Sequence, residues 1–565
     1  MRRSRCLCLV SLVVALVTVN CAPATPGGAT GGNVPGRPLA VKRITFGLAE
    51  EPDLRPSATG NPRVVGVLVH SGLTVLGNQR ARHPLLAEAV PSLENGLWKL
   101  LPDGRMETTW KLRDGTRWHD GEPLTTEDLL FTLQVGRDRE MSAFNTPAYA
   151  SIEEARAPDP RTLTITWKEP FIAADAVLDS SDSRLLPKHL LEEAYQSDKA
   201  SLLDLPYWTS DFVGAGPYRV REWTPGTGVQ LLANDDFVLG RPRIDQIEVK
   251  VIPDANTLTA NLLAGTVDVT HNVGSTDLGL QLRDQWRAGT VHFNFGDTSI
   301  RLWPQFVDPR PAAVADLQVR RALVHAIDRQ EIVDTLVTGL SPVPHTFLSP
   351  NQAAYRDIEA AVPRYEYDPR KAAQMLEAGG YRKGPDGTYR DEANRRLELE
   401  VRSGPLATMS KTASAVADYW QQVGVDATVV RLAPQQIQDQ QYVATFPAFY
   451  VSGGPNDLGG LPSLHSSGAR LPSNNFRVQG GAANWGRYMD AEFDARLERY
   501  FRTVPMPARI QALGEIIHQI ADQVTLVGLF YTPLPGAAAD RLLNVSSEWP
   551  RLLITWNAYE WDVRS

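Results

Sequence analysis

Around Trp110, hydrophobic and polar residues alternate with a period of two, which is the spacing of a half-buried β-strand. The Asp-Gly pair at residues 114–115 predicts a tight turn, and residues 117–119 then predict a second short strand. Thr125 is followed three residues later by Asp128, which is a capping-box spacing, and the leucines after it recur at helical intervals. The stretch is therefore predicted to form a strand, a turn, a second strand, another turn and a capped helix.

A longer helical pattern lies in the C-terminal half of the chain. Apolar and small residues recur at helical spacing from Met409 to Val423, and Gly424 marks the end of the pattern. Residues 427–432 follow as a predicted strand, and another apolar strand is predicted at residues 525–531. This mixture of strands and helices predicts an α/β protein.

The composition is that of an ordinary folded protein. Hydrophobic residues make up 43% of the 565 positions and charged residues 22%, which excludes general disorder. The chain is too long for one compact core, so we expect several domain-sized units or two lobes with an interrupted chain path. The net charge of −8 and the lack of a Lys/Arg-rich run argue against a nucleic-acid partner.

The first 20 residues have the pattern of an export signal. Three arginines precede an uncharged, mostly apolar run at residues 6–19, which is shorter than the roughly 20 residues of a membrane span. Cys21 is then the single cysteine of the processed chain, and the residues before it resemble a lipobox, with departures at Thr18 and Asn20. We expect Cys21 to be lipidated. The alternative is ordinary cleavage near residues 22–24.

Seven segments resemble, in order, those of one known protein family. They are PLLAEA at 84–89, LRDGTRWHDGEPLTTEDLLF at 112–131, GAGPYRV at 214–220, NDDFVLG at 234–240, VIPDANTLTANLLAGTVDV at 251–269, VRRALVHAIDRQEIV at 319–333 and YDPRKAAQMLEAGGY at 367–381. With these segments the chain resembles the family 5 extracellular solute-binding proteins of bacterial ABC importers, which bind peptides and nickel.

The resemblance implies an α/β, two-lobed periplasmic-binding-protein-like fold of type II, with mixed β-sheets, flanking helices and an extra sub-domain in the first lobe. The expected divisions of the chain are a signal peptide at 1–20, a lipid anchor and flexible tether at 21–43, the first lobe at 44–80, its sub-domain at 81–208, the first lobe again at 209–290, the second lobe at 291–524, and a C-terminal return to the first lobe at 525–565.

The resemblance also implies a function. The protein is expected to be an extracytoplasmic receptor that captures a peptide or peptide-sized organic solute between its lobes and delivers it to the permease subunits of an ABC importer. We expect a lipid-anchored monomer in the periplasm or on the outer face of the cytoplasmic membrane, with no cofactor, metal or nucleic acid. The solute stays open between a peptide, a metal chelate, an opine-like compound and a sugar derivative.

The common catalytic and metal-binding motifs are absent from the sequence. It contains no G-x-S-x-G, no G-x-x-x-x-G-K-[ST], no H-E-x-x-H and no C-x-x-C in the mature chain. His119 lies in a turn-rich stretch and is expected to be a polar turn residue rather than a metal ligand. We therefore expect no enzyme. Two alternatives remain: an exported hydrolase or transferase on the same scaffold, and a surface interaction protein that has lost solute binding.

Candidate ligand contacts come from the points where the resemblance implies lobe crossings and cleft loops. Large aromatic surfaces and a few polar groups suit a cleft that holds an organic ligand. The candidates are Glu51 at the end of the first strand, Asn456, Asp457, and the aromatic residues Trp208, Trp303, Trp485 and Tyr531.

One departure from the family concerns the charge of the ligand. The peptide binders of this family carry an aspartate in a W-x-x-D-Y-x-D-P-like stretch, and it pairs with the amino group of the ligand. Here residues 449–457 read FYVSGGPND, so Gly453 or Gly454 stands at the position of the acid, and Asp457 could replace it only if the loop shifts. A buried ammonium without a charge partner costs several kcal/mol. The departure therefore argues against ordinary peptides with a free N-terminus.

Overall fold

The alternating segments form strands in the computed structural model, which describes residues 41–56, 62–180, 184–295, 298–478, 483–549 and 553–564. The expected signal peptide, Cys21 and the tether up to residue 40 lie outside these residues. Within the described part of the chain, no helix has both the length and the apolar character needed to cross a membrane.

The strands are short and are spread over the whole described chain. Their bounds are β1 Arg43–Leu48, β2 Thr74–Leu76, β3 Arg82–Pro84, β4 Trp98–Leu100, β5 Met106–Lys111, β6 Ile152–Asp159, β7 Thr162–Trp167, β8 Tyr218–Thr224, β9 Gly228–Ala233, β10 Gln246–Val251, β11 Val269–Thr270, β12 Gly289–Asn294, β13 Thr298–Pro304, β14 Arg382–Lys383, β15 Tyr389–Arg390, β16 Glu398–Ser403, β17 Asp426–Arg431, β18 Phe449–Pro455, β19 Val527–Tyr531, β20 Leu534–Ala539, β21 Leu542–Leu543 and β22 Asp562–Val563.

The helices alternate with these strands, as in an α/β protein. Their bounds are α1 Pro62–Val69, α2 Thr126–Arg137, α3 Pro147–Ala150, α4 Lys188–Ser197, α5 Ala255–Leu263, α6 Thr276–Gln285, α7 Leu317–His325, α8 Arg329–Leu336, α9 Tyr355–Ile358, α10 Pro369–Ala378, α11 Ala407–Val423, α12 Pro434–Gln438, α13 Gln440–Ala444, α14 Ala491–Arg502 and α15 Met506–Asp522.

The first lobe is built on a seven-stranded sheet with the order β12-β20-β11-β1-β10-β9-β8. Strand β1 pairs in parallel with β10 and β11, and the other neighbours are antiparallel. Phe46 of β1 lies opposite Val249 of β10, and both are buried in one core with Leu68 of α1. The burial of these apolar side chains joins the sheet to its covering helix.

A sub-domain extends from the first lobe around the antiparallel sheet β4-β5-β7-β6. Trp110 and Trp167 fill its core. Helix α2 begins as the sequence predicts, because the side chain of Thr125 accepts from a backbone N–H of the first turn and the backbone N–H of Thr125 donates to Asp128 Oδ2 at 2.9 Å. The predicted capping box is confirmed.

The predicted strand at residues 117–119 is wrong. The segment makes only an isolated bridge from Arg117 to Pro123, and the neighbours of β5 are β4 and β7. Trp118 N donates to Glu122 O at 2.9 Å, so the segment folds back on itself as a tight loop. The alternation near Trp110 is real, but partners that are distant in sequence complete the sheet.

The second lobe is built on a five-stranded sheet with the order β17-β16-β18-β13-β19. Strands β16 and β17 are parallel and are joined by α11, whose end is marked by Gly424 in the left-handed region at φ 104°. The helix and the strand predicted here are confirmed. Trp420 of α11 packs on Phe449 of β18 at 4.8 Å between ring centroids, in the core beneath one face of the sheet.

Two boundaries between the lobes differ from the expected ones. Strand β12 pairs with β20 through Asn294, so residues 291–294 lie in the sheet of the first lobe. Strand β19 pairs with β13, so residues 527–531 lie in the sheet of the second lobe. The expected divisions at 290/291 and 524/525 are therefore a few residues early. An apolar strand can join either sheet, and distant pairing decides which.

Candidate functional site

One face of the five-stranded sheet carries polar and aromatic side chains. Along β13, Ile300 and Leu302 are buried among the core residues beneath the sheet. The alternate positions Ser299, Arg301 and Trp303 lie on the opposite face, because side chains alternate along a strand. We call this side of the sheet the site face.

The site face continues onto β18. Trp303 Nε1 donates to Ser452 Oγ at 2.9 Å, and Tyr450 lies directly opposite Trp303 in the register of the two strands. The ring of Trp485 lies 5.1 Å from that of Tyr450, and the guanidinium of Arg470 lies 4.0 Å from the centre of the Trp485 ring. Two of the aromatic residues expected in the cleft, Trp303 and Trp485, thus belong to one cluster.

Arg301 lies at the centre of the site face and is only 2% exposed. Its Nε donates to Ser299 Oγ at 2.8 Å, and its Nη2 donates to the carbonyl oxygens of Gly454 at 3.2 Å and of Pro455. The guanidinium lies 4.6 Å from the centre of the Phe347 ring. Among the described residues, Arg301 forms no ion pair with a carboxylate, and its Nη1 has no hydrogen-bond acceptor.

Burial lowers the pKa of Arg301 to about 9, and the nearby Tyr531 and Asp457 offset part of the decrease. The guanidinium therefore stays cationic at neutral pH, although its surroundings disfavour the charge. Burial raises the pKa of Tyr531, so the phenol stays protonated. Its hydroxyl donates to Leu348 O at 3.0 Å, and its ring stacks on Phe295 at 5.9 Å.

The register of β13 and β18 separates the two glycines that stand at the expected acid position. Gly453 lies opposite Ile300 on the core face, whereas Gly454 lies opposite Ser299 on the site face. A Cβ added to Gly454 would lie 3.4 Å from Arg301 Nη1. At Gly454, one of the two positions where the family resemblance implies an acid, this chain places the edge of a buried guanidinium, whereas a side chain at Gly453 would meet Met409 and Ile300.

Asn456 follows these residues and is fully buried, at 0% exposed. Its carbonyl oxygen accepts from Gln352 Nε2 at 2.7 Å and from Ser349 N at 3.3 Å. Neither Oδ1 nor Nδ2 of Asn456 has a hydrogen-bond partner in the described structure. An amide buried in this way is costly, because both polar atoms have lost water without gaining a partner.

Other unpaired polar atoms lie in the same region. Ser349 Oγ, Asn351 Oδ1 and Asn294 Nδ2 are buried and have no partner among the residues described. Asn351 Nδ2 donates to Phe295 O at 2.6 Å, so these groups lie where the chain leaves β12 and crosses toward the second lobe. We call Asn294, Ser349, Asn351 and Asn456 the crossing cluster.

Asp457 connects the two lobes. Arg80, at the end of a 3₁₀ turn in the first lobe, donates from Nη1 to Asp457 Oδ2 at 3.0 Å, and both side chains are 11% exposed. Asp457 Oδ1 accepts from Gly460 N at 2.9 Å and caps the 3₁₀ helix Leu458–Leu464. Both oxygens of the carboxylate are therefore engaged by the chain itself.

A second contact between the lobes lies in the sub-domain. Arg502 Nε, at the end of α14, lies 2.9 Å from Glu169 Oε2 of the sub-domain. Val504, two residues later, is buried in the sub-domain core. Two separate ion pairs between described residues therefore join the lobes, and Asn456 of the crossing cluster directly precedes Asp457 of the first pair.

The structure does not bring Glu51 and Trp208 to the site face. Glu51 accepts from Gly226 N at 2.7 Å at the hairpin between β8 and β9. Trp208 is 2% exposed in the core of the first lobe, and its Nε1 donates to Leu202 O at 2.7 Å. Of the seven expected contacts, the second-lobe region holds Trp303, Asn456, Asp457, Trp485 and Tyr531.

The sequence analysis missed Arg301 and Arg80. A signal for Arg301 is present, because a basic residue within the apolar strand segment SIRLW must be buried or must face a functional surface. Arg80 has no such signal, since its role depends on contact with the other lobe. The described residues contain no cluster of three or more side chains suited to hold a metal ion.

Comparisons with known proteins agree with this architecture. The sequence profile of the bacterial extracellular solute-binding proteins, family 5 middle domain, matches residues 83–472. The chain is 27% identical over 396 residues to the oligopeptide-binding protein AppA of Bacillus subtilis, and the alignment covers 67% of each protein.

Two solved structures are similar in fold. The structure of AppA from Bacillus subtilis in complex with a nonapeptide has a TM-score of 0.65 at 22% identity and covers 93% of this chain and 100% of AppA. NikZ from Campylobacter jejuni in complex with Ni(L-His) has a TM-score of 0.68 at 22% identity and covers 92% of this chain and 99% of NikZ. The expected two-lobed α/β fold is confirmed, and the chain belongs to family 5 of the bacterial extracellular solute-binding proteins.

Proposed function

We propose that this protein is the extracytoplasmic receptor of an ABC importer. It captures a peptide or peptide-sized organic solute between its two lobes and delivers the solute to the membrane permease. The family is one of solute-binding proteins rather than of enzymes, and the relative AppA is an oligopeptide-binding protein. No observation favours a hydrolase, a transferase or a surface protein without a ligand.

The observation that carries this proposal is the crossing cluster. Folded proteins pair nearly all of their buried polar atoms. Here Asn456 leaves both side-chain atoms without partners, and Ser349 and Asn351 each leave one more. Asn456 lies between Pro455, which accepts from Arg301, and Asp457, which pairs with Arg80 of the first lobe. Other buried polar atoms without partners are scattered over the described residues, but these lie beside a contact between the lobes, where a ligand can supply the missing partners.

The contacts between the lobes suit a closing motion. The ion pair between Arg80 and Asp457 and the pair between Arg502 and Glu169 join different lobes, and the chain passes between the two sheets at few points. A ligand that touches both lobes shifts the population toward the closed form by its differential affinity for that form. We propose Trp303, Trp485 and Tyr531 as apolar contacts of the ligand and Asn456 as a polar one. Asp457 is proposed to act at the cleft through its ion pair with Arg80, which holds the closed form.

The receptor is proposed to act as a lipid-anchored monomer outside the cytoplasmic membrane. Cys21 follows an apolar export signal and precedes a stretch rich in Pro, Gly, Ala and Thr. Labelling with radioactive palmitate in a bacterial host tests the anchor. We expect label in the wild type and none in Cys21→Ala, which should leave the membrane fraction. Equal labelling of both would contradict the anchor.

The receptor is tested by the thermal midpoint and by small-angle scattering with short peptides, offered with free and with acetylated N-termini. A solute at about 100 times its Kd adds roughly 2.7 kcal/mol to the free energy of unfolding and raises the midpoint. We expect acetylated peptides to act at least as well as free ones, because Asp457 is already held by Arg80. The radius of gyration should fall with the same solutes.

Two tryptophan variants serve as a matched pair in this assay. Trp303→Phe should lower the starting midpoint, since Trp303 is buried in a core cluster of the second lobe, and should also reduce the rise caused by solute, since Trp303 shares the site face with Arg301. Trp208→Phe should lower the starting midpoint through core packing and leave the rise unchanged, since Trp208 lies in the core of the first lobe. Absence of compaction and of any change in midpoint with every peptide would speak against a peptide receptor.

A further inference from the structure

We propose that Arg301 receives a carboxylate group of the solute, so that the ligand of this receptor is an organic acid held by its anionic end. The inference rests on the proposed receptor function and deepens it by naming the charge of the ligand. The Arg301 subsite is defined here as the Nη1 edge of Arg301 with Gly454, Phe347 and Asn456.

The charge of Arg301 is not neutralised by a described residue. Arg301 is buried and cationic, and no carboxylate of the described chain pairs with it. Its Nε and Nη2 donate to a hydroxyl and to carbonyl oxygens, which solvate the charge without neutralising it. A buried charge requires a counter-charge or a dense set of dipoles. A carboxylate from the ligand supplies the counter-charge.

The unused nitrogen of Arg301 faces a position without a side chain. Two of the three guanidinium nitrogens are used, and Nη1 is left to face Gly454 on the site face. Because Gly454 has no side chain, a ligand group can approach Nη1 along the backbone of β18. The buried Nδ2 of Asn456, two residues further on, is a second donor without an acceptor. Both groups are donors, and a carboxylate is an acceptor with two oxygens.

Asp457 is the carboxylate whose charge acts on Arg301, and both of its oxygens have other partners. Asp457 acts electrostatically on Arg301, but its Oδ2 accepts from Arg80 and its Oδ1 accepts from Gly460 N. Among the described residues, no carboxylate is therefore left to bind Arg301 directly, and a ligand carboxylate can take that place. An ammonium group at the same place would meet a like charge and be repelled. The Arg301 subsite is positively charged, whereas a site that binds a free amino terminus is negatively charged.

The subsite can be tested without knowing the solute, by adding the carboxylate to the chain. Gly454 is not in the left-handed region, and an added Cβ meets its nearest neighbours at 3.4 Å and 3.7 Å, so a side chain fits. Gly454→Asp places an acid beside Arg301 Nη1, and Gly454→Asn places a neutral group of the same shape. We expect the Asp variant to unfold several degrees above the Asn variant at pH 7. A midpoint of the Asp variant equal to or below that of the Asn variant overturns the proposal.

Formate, the smallest carboxylate, provides the complementary measurement, with neutral formamide as its control. We expect formate, at constant ionic strength, to raise the midpoint of the wild type more than formamide does, and this preference should be lost in Arg301→Gln and in Gly454→Asp. Equal responses to the two compounds in the wild type, or a preference that persists in Arg301→Gln, overturn the inference. If Arg301→Gln does not fold, the two Gly454 variants decide alone.

These outcomes are separate from the test of the receptor. If the Gly454 and formate experiments succeed but scattering detects no compaction with any solute, the receptor proposal fails and the anion subsite stands. If compaction occurs with solutes irrespective of their charge and the Gly454 variants do not differ, the receptor stands and the charge assignment fails.

Discussion

Two buried arginines in the second lobe differ in how their charge is matched. Arg320, on α7, donates from Nη1 to Val314 O at 3.0 Å and Ala315 O at 2.7 Å, and from Nη2 to Gln523 O at 2.9 Å. Its Nε points to Gln523 O as well, at 3.3 Å, so every nitrogen of the guanidinium has an acceptor. Arg301, on the site face, leaves one nitrogen without an acceptor.

The positions of the two arginines explain this difference. Gln523 caps the C-terminal end of α15, where the partial negative charge of the helix dipole favours a cation. Arg320 thus fastens α7 to the end of α15 and is structural. Arg301 has no helix C-terminus against it in the described structure; a hydroxyl, two strand carbonyls and the rings of Phe347 and Trp303 surround it, and Asp457 acts on it electrostatically. A buried guanidinium whose nitrogens all have acceptors within the chain stabilises the fold. A buried guanidinium with one nitrogen left without an acceptor can bind a ligand.

The largest expected change in the free energy of unfolding comes from replacing Arg320, the arginine whose nitrogens all have acceptors. Arg320→Met leaves the carbonyl oxygens of Val314, Ala315 and Gln523 without their donors, and breaking such a buried network costs about 4 kcal/mol. We expect the urea midpoint to fall accordingly with an unchanged slope. A loss below about 1 kcal/mol would mean that water replaces the guanidinium and that the two arginines do not differ in this way.

A buried basic side chain can avoid the cost of an unmatched positive charge by losing its proton. His119 in the sub-domain is an example. Its Nδ1 accepts from Gly214 N at 3.2 Å and its Nε2 lies 3.1 Å from Gly216 O, so only a neutral ring satisfies both contacts. Burial lowers the pKa of His119 to about 4; Arg219 lowers it further, whereas the Gly216 contact and Asp120 raise it.

This predicts a pH dependence of stability. Between the ordinary pKa of about 6.5 and the folded value near 4, the unfolded state binds a proton that the folded state does not. Stability is thus fully present above pH 6.5 and falls as the pH drops toward 4, by about 3 kcal/mol for this group. His119→Gln should lack that part of the slope, whereas the exposed His518→Gln should retain it. Equal slopes in both variants would refute the account.

A smaller effect is expected at the contact between the lobes. Asp457→Asn keeps an oxygen to cap Gly460 but removes the ion pair with Arg80, whose side chains are mostly buried, at a cost of about 1 kcal/mol. We expect the radius of gyration without solute to increase. Glu169→Gln, at the more exposed pair with Arg502, is the control and should change it less. An unchanged radius for Asp457→Asn would mean that this pair does not hold the lobes together.

The smallest change in the free energy of unfolding is expected from replacing Arg301, the arginine with one nitrogen left without an acceptor. Arg301→Met loses the hydrogen bonds to Ser299 and to two carbonyl oxygens, but it also removes a buried charge that forms no ion pair with any described carboxylate, so the two terms offset each other. We expect a change of less than about 1 kcal/mol in the free energy of unfolding without solute. A loss as large as that of Arg320→Met would make Arg301 structural and would remove the basis of the comparison.

Local signals in the sequence were sufficient for single elements. The spacing of Thr125 and Asp128 predicted the start of α2, and the stripe up to Val423 with Gly424 predicted the end of α11. These features depend on residues within a few positions of each other. The loop at residues 117–119 and the sheet to which β12 belongs depend on partners far along the chain, and there local pattern was insufficient.

The candidate site was predictable only in part. Asn456, Asp457 and Tyr531 follow from the family resemblance, and they do lie near one another around the crossing between the lobes. Arg301 does not, because its importance appears only when the register of β13 and β18 places it beside Gly454. Trp208 was predicted to contact the ligand, but it lies in the core of the first lobe. The sequence does not distinguish a tryptophan in a cleft from one in a core, because both are large apolar residues near an expected crossing.

The most direct test of the account compares N-acetylated peptides that end in a free carboxylate with the same peptides as C-terminal amides. The thermal midpoint is measured for the wild type and for Arg301→Met. The account predicts that the acids raise the midpoint of the wild type, that the amides do not, and that Arg301→Met no longer distinguishes them. Equal shifts by acids and amides in the wild type, or an unchanged preference for the acids in Arg301→Met, would contradict it.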